Sequence, residues 1–362
     1  MGASGVELRT DKRPGRGATA NEKVRALLWS ALGSLALTVL IVIGSRNLEH
    51  YDAALFGYTV ASVVAFGAII FRYAIWLRRP ATRRYWLRGW QLFLDPKNLA
   101  ANLRSIIATG FGNLVAQRFI MRRSRARWLM HALIMWGCII SALVTFPLVF
   151  GWIHFELEGA RAYRAYLFGF PTVAVDGRSI VGWVTFHVLD FTAIMVIAGC
   201  AIAIHRRLRD RGAIAMQQFA LDFAPHLLLI AISVSGLMLT VSSLWLGGYM
   251  YSFISLAHQA LVIMTLFYLP FGKFFHIVQR PASIGVELYQ NRGREMVQAR
   301  CARCGAEFVA QAWLDDLKGV VRELGFDYRL KNGRTLQDYC PRCKRVMRGL
   351  AYAALAQRLE RD

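Results

Sequence analysis

Acidic residues are scarce in this chain: 22 Asp and Glu stand against 44 Lys and Arg in 362 residues, a formal charge of +22. Cysteine is scarce as well. Six are present, and no C-x-x-C-H run occurs, which excludes covalent attachment of haem c. The cysteine clusters of an internal iron–sulfur relay are missing too. No small-residue cleavage site follows the first apolar run, which is long for a signal h-region and reads as a signal anchor. There is no internal repeat and no pair of Gly- or Pro-broken spans, which removes two usual marks of a transporter.

Apolar sequence is abundant. Hydrophobic residues make up 56% of the chain and the mean hydropathy is +0.37, outside the soluble globular range. Long uncharged runs predict an all-α membrane fold, a bundle of six spans at 26–44, 54–77, 128–153, 180–204, 223–246 and 251–277. The odd-numbered connections hold only Arg46, Arg161, Arg164 and Arg178, and the other 40 of the 44 basic residues fall on the opposite side. Positive-inside then places both termini in the cytoplasm of a multi-pass inner-membrane protein. The basic excess is thus a topology signal and a contact for anionic lipids, alongside a docking surface for an acidic partner, and not a mark of nucleic-acid binding.

Three regions follow: a disordered cytoplasmic tail at 1–24, a membrane domain at 25–285, and a cytoplasmic domain at 286–362. Within the second, the long connection 78–127 begins with RRPATRRYWLRGWQLFLDP, whose Trp, Tyr and Arg suit the headgroup level. Residues 98–120 then carry apolar side chains at helical spacing, predicting a helix along the membrane surface that braces the bundle or offers a platform to a soluble subunit. The loop 154–178 shows no motif.

Histidines within spans carry the chemistry. His258 and His276 stand eighteen residues apart on the last span, five turns of an unbroken helix, so both imidazoles are expected on one face about 27 Å apart. Matching depth supplies partners. His131 enters its span just inside the cytoplasmic edge, level with His276; His187 follows the start of its span about as far as His258 does. Four histidines on two levels are what two bis-imidazole haem b groups require, with no open position on either iron. His226, in the first turn after Pro225, is the reserve candidate opposite His276, and His205 beside RRLRDR reads as an edge cation. His50 and His154 fall at outer borders, in solvated positions. Lys273 either contacts a haem propionate or extends to the headgroups. Cys138 and Cys200 read as apolar packing groups.

A second centre lies in the tail. Cys301-Ala-Arg-Cys304 and Cys340-Pro-Arg-Cys343 are two C-x-x-C knuckles on the expected cytoplasmic side, where such pairs indicate a metal more than disulfides. Four thiolates suit Zn2+ or a single rubredoxin-type iron.

With RRSRARWLMHALIMWG early and LPFGKFFHIVQRP late, residues 54–285 resemble the membrane cytochrome b modules of the respiratory nitrate reductase gamma and heterodisulfide reductase group. The first span and the four-cysteine domain are additions to that pattern. The resemblance implies a quinone substrate and a cytoplasmic iron–sulfur subunit as partner in an oxidoreductase complex. Nitrate reductase gamma subunits carry two ligands ten residues apart on one early helix. Ser141 stands at that position here, so His187 is expected to serve the outer haem, closer to the heterodisulfide reductase type. A transporter or channel using its histidines for metal ions or protons, and a haem-free scaffold with a zinc tail, are the competing classes.

Overall fold

The computed structural model describes residues 19–210, 212, 218–330 and 332–359; most of the expected tail at 1–24 lies outside them. The chain is an all-α membrane protein with a small cysteine-rich C-terminal region. It divides into two compact units: Val24–Tyr73 with Gly112–Gln279, and Met1–Lys23 with Ala74–Phe111 and Arg280–Asp362. The first half of the long connection, Ala74–Phe111, falls in the same unit as the C-terminal region.

The first unit holds most of six helices long and apolar enough to cross a membrane. They are α1 (Ala20–Gly44), α2 (Phe56–Leu77), α6 (Arg125–Val149), α7 (Ile180–Arg209), α9 (Ala224–Leu244) and α10 (Tyr251–Phe271), with the short helices α5 (Arg118–Met121) and α8 (Phe219–Asp222) ahead of α6 and α9. Each start follows local chemistry. Ser124 and Ser179 accept the N–H groups of Arg127 and Gly182 as N-caps, and Pro225 occupies the first turn of α9. Five helices form a closed ring: α6 packs on α7, α7 on α9, and α9 on α10. The ring closes through α2, which meets α10 at Ala61, Ala65 and Leu266 and α6 where the Thr59 hydroxyl donates to the Val149 carbonyl at 3.4 Å. α1 sits outside it, joined to α2 where Ser30 and Ser34 donate to the Gly67 and Val63 carbonyls at 2.7 and 3.3 Å.

Between α6 and α7 the backbones come close. A Cβ on Gly137 would stand 3.1 Å from the Thr192 carbonyl, and one on Gly199 3.0 Å from that of Met130. Small residues that admit such approach are how membrane helices gain packing where no hydrophobic drive exists between them. The loop without a motif is an antiparallel sheet of β1 (Ile153–Glu158), β2 (Ala162–Leu167) and β3 (Phe170–Asp176). Phe168 and Gly169, both at positive φ, make its second turn.

The other unit contains α3 (Pro80–Phe93), α4 (Leu99–Gly110) and α12 (Ala282–Gly293), then β4 (Gln298–Arg300), β5 (Glu307–Ala310), α13 (Gln311–Glu323) and α14 (Pro341–Leu359). α3 crosses α12 at Gly89, where a Cβ would lie 3.1 Å from Gly285 Cα. Asp316 on α13 binds the two together: it accepts from Arg88 at 2.9 and 3.0 Å and from the Tyr289 hydroxyl at 2.5 Å. Burial would raise this carboxyl, but those bonds hold it below the usual carboxylate range.

Candidate functional site

α6 and the segment following α10 bring His131 and His276 together, with ring centroids 6.4 Å apart and planes at 64°. Two imidazoles sharing one ion put a bond of about 2 Å on each side, so their ring centres end roughly 6 Å apart. In both rings Nδ1 faces an acceptor: Gln117 Oε1 at 2.9 Å from His131, the Lys273 carbonyl at 2.6 Å from His276. Nδ1 then carries the proton and Nε2 the lone pair, the tautomer a metal-bound histidine adopts. Gln117 went unnoticed in the sequence, where nothing distinguishes it. It is 2% exposed and stands at φ 52, a left-handed conformation in which its amide also donates to Met135 Sδ at 2.7 Å.

The unbroken last helix is not observed. α10 ends at Phe271, Gly272 turns extended at φ −90 and ψ −163, Lys273–Phe275 make a 3-10 turn, and His276 opens the four-residue α11 (His276–Gln279). Pro270 contributes no N–H, and its carbonyl is taken by Arg72, whose guanidinium lies 4.4 Å from the Phe275 ring centre. The two histidines therefore do not share one helical face, and what aims His276 at His131 is this break. Lys273 has an acidic partner within the chain. It pairs with Asp222, which also accepts from Arg207 at 2.7 Å and from the Gln218 N–H at 3.0 Å. The Lys273 bond leads in holding the Asp222 carboxyl far below its ordinary range. His226 Nδ1 faces the Asp222 carbonyl at 2.9 Å, and His205 is exposed.

Inside the ring lies a cavity of about 430 Å³. His258 lines it, oriented by the Ser235 hydroxyl 2.9 Å from Nδ1. Ser141, Cys138, Tyr58 and Asp190 line it as well, with Asp190 accepting from Thr240 at 2.7 Å. His187 does not line it. Its ring stacks on Trp183 at 4.9 Å and its Nδ1 faces the Trp183 carbonyl at 2.9 Å. Phe186, Leu189, Asp190, Ala193 and Val196 are the α7 residues at that wall, and His187 lies off their face. Cys200 is fully buried against α6, a packing position.

No protein-family model, curated protein or solved structure matches the chain.

In the other unit the four tail cysteines converge, with their sulfurs all within 4.8 Å of one another. Cys304 and Cys340 are 3.8 Å apart, the edge length of a tetrahedron with metal–sulfur bonds of about 2.3 Å. Backbone N–H groups of Arg303 and Cys340 point at Cys301 Sγ at 3.5 and 3.3 Å, and that of Cys343 at Cys340 Sγ at 3.4 Å. Gly305, at φ +73, closes the first knuckle by donating to the Cys301 carbonyl at 2.9 Å. Burial would raise the Cys301 thiol, yet those N–H groups lower it to about 6, while burial and the neighbouring sulfurs push Cys343 up to about 12. The cluster can hold zinc or iron. Tyr339, Phe308, Leu330 and Met347 pack around it.

Proposed function

We propose that this chain is a haem b membrane subunit that passes electrons between the quinone pool and a cytoplasmic iron–sulfur oxidoreductase partner. The observation that carries the reading is the His131–His276 pair, whose separation and paired Nδ1 acceptors fit two axial nitrogens on one iron. Bound there, haem would supply a one-electron couple. The chain supplies the rest: Gln117 and the Lys273 carbonyl fix the two tautomers, while Arg72 and Asp222 anchor the segment that presents His276. Both termini and the His276 edge face the cytoplasm of the inner membrane in this reading, on the basis of the Lys and Arg distribution.

The second level is built differently. His258 offers one nitrogen to the ring cavity, and a second from His187 requires that side chain to leave Trp183. Two haems per chain mean that it does; one haem leaves the cavity to quinone, with His258 and Asp190 as proton-exchanging groups on its walls. The four cysteines bind zinc as a structural ion, or iron as a further electron carrier. A pyridine haemochrome assay on purified protein tests the proposal. One or two haems per chain, reducible by a quinol, support it, and a haem-free protein refutes it in favour of the transporter or scaffold classes. Co-purification then identifies the partner.

A further inference from the structure

We propose that His50, His154 and Glu156 form a binding site for a divalent transition-metal ion, with zinc the ion their donors suit. Both histidines were expected to be solvated, and His154 is not. It projects from β1 between two rings, stacked on His50 at 4.1 Å and 19° and on Tyr166 at 4.9 Å and 7°. Both its ring nitrogens are buried, and neither makes a hydrogen bond among the described residues. Nε2 lies 3.4 Å from Glu156 Oε1. Placing an imidazole this way is unfavourable unless something occupies its lone pair.

The arrangement is assembled from two distant pieces of chain. Alternation along β1 puts His154 and Glu156 on one face, and the register pairs His154 with Tyr166. His50 arrives from the turn after α1, where three successive non-glycine residues, Arg46, Asn47 and Leu48, take φ of 52, 56 and 68. Fully buried Ser45 holds that turn: its hydroxyl accepts the Leu48 N–H at 3.1 Å, and its carbonyl accepts that of His50 at 3.2 Å. Gly151 lets the two pieces meet, because a Cβ there would stand 2.7 Å from the His50 carbonyl. The strained turn thus delivers one imidazole onto another.

One donor atom from each of the three residues lies within 4.8 Å of the others. An ion between them reaches bonds of about 2.1 Å if each donor moves inward by about 1 Å and the two imidazoles turn out of their stack, because each lone pair lies in its ring plane. Two imidazoles and one carboxylate, with water at a fourth position, are a zinc donor set. The nearby basic groups are engaged elsewhere. Arg164, opposite Glu156 in the sheet, forms a two-pronged pair with Glu158 at 2.9 and 2.9 Å, and Arg46 lies over the Phe170 ring at 5.1 Å. Glu156 is exposed and gives an ion its path in. A bound ion would tie the end of α1 to the sheet.

Zinc titration of the full-length protein, followed by elemental analysis after equilibration at fixed free zinc, tests the site. The expected result is one more zinc per chain in the wild type than in Glu156→Gln or His50→Gln, or binding at that site weakened at least about ten-fold. Cobalt separates this site from the cysteines, since nitrogen and oxygen donors give d–d bands without sulfur-to-metal charge transfer. The variants should lose only the former. Glu156 is a surface position, so its variant folds whether or not an ion binds. If both variants keep the wild-type zinc number, affinity and cobalt spectrum, the proposal is wrong.

Discussion

Replacing Gln117 tests the paired histidines more sharply than removing a histidine would. Gln117→Leu keeps the bulk of a side chain that is 2% exposed, and deletes the acceptor 2.9 Å from His131 Nδ1. Losing such a partner to a metal-bound imidazole costs about 10–100-fold in affinity, or about 1.4–2.7 kcal/mol. The same bond makes the imidazole more basic and so favours the ferric form. A ten-fold bias toward ferric iron corresponds to about 59 mV for one electron, so Gln117→Leu should raise the midpoint potential by roughly that amount. Gln117→Glu puts a carboxylate at the same place and should lower it. Redox titration of the purified variants, read at the haem absorption bands, measures both. The 64° between ring planes adds a spectroscopic expectation, a strongly anisotropic low-spin ferric signal that simplifies in His131→Ala. If both Gln117 variants keep wild-type haem content and potential, His131 is not an axial ligand held in this way.

The other expectations concern separate parts of the molecule. Cys304→Ser removes one of four converging sulfurs and should lower tail-bound metal to a labile fraction, seen by elemental analysis after chelator treatment. Asp222 titrates far below an ordinary carboxylate, so its stabilisation is complete above about pH 4 and is lost as pH falls through the folded-state value. Asp222→Asn should therefore lower stability near neutrality by about 1 kcal/mol, discounted because Lys273 is half exposed, and should melt with a flatter profile on the acid side. Asp316→Ala strands Arg88 and Tyr289 and should cost about 2–3 kcal/mol, measured as faster proteolysis of residues 286–359 in the detergent-solubilised protein.

What the sequence disclosed follows physical range. The six spans are legible because a run of apolar residues long enough to cross a bilayer is a local property, and the ends differ by only a few residues. The two C-x-x-C knuckles are legible for the same reason. Depth in the membrane follows from where each histidine falls in its span, which is enough to put His131 level with His276. A face shared by His258 and His276 needs an uninterrupted helix, and the chain breaks it at Pro270 and Gly272 of LPFGKFF. Helical phase is also what His187 lacked: depth set its level, while its direction, toward Trp183, was fixed by neighbours. Gln117 and the His50–His154 contact were out of reach altogether, since each depends on chain segments meeting through a left-handed turn.

The break at Gly272 has a mechanical consequence. A ligand on an intact span can tilt only if the span rotates, which means repacking against its neighbours over its whole length. His276 rides instead on four residues, steadied from outside by Asp222 through Lys273 and by Arg72 through the Pro270 carbonyl. One imidazole is thus mounted on a short arm and the other, His131, on a fixed post. Anything that pulls on residues 272–279, a docked subunit or a change in surface charge, can turn the His276 ring while the bundle stays still, and with haem held as proposed that turn would shift its potential.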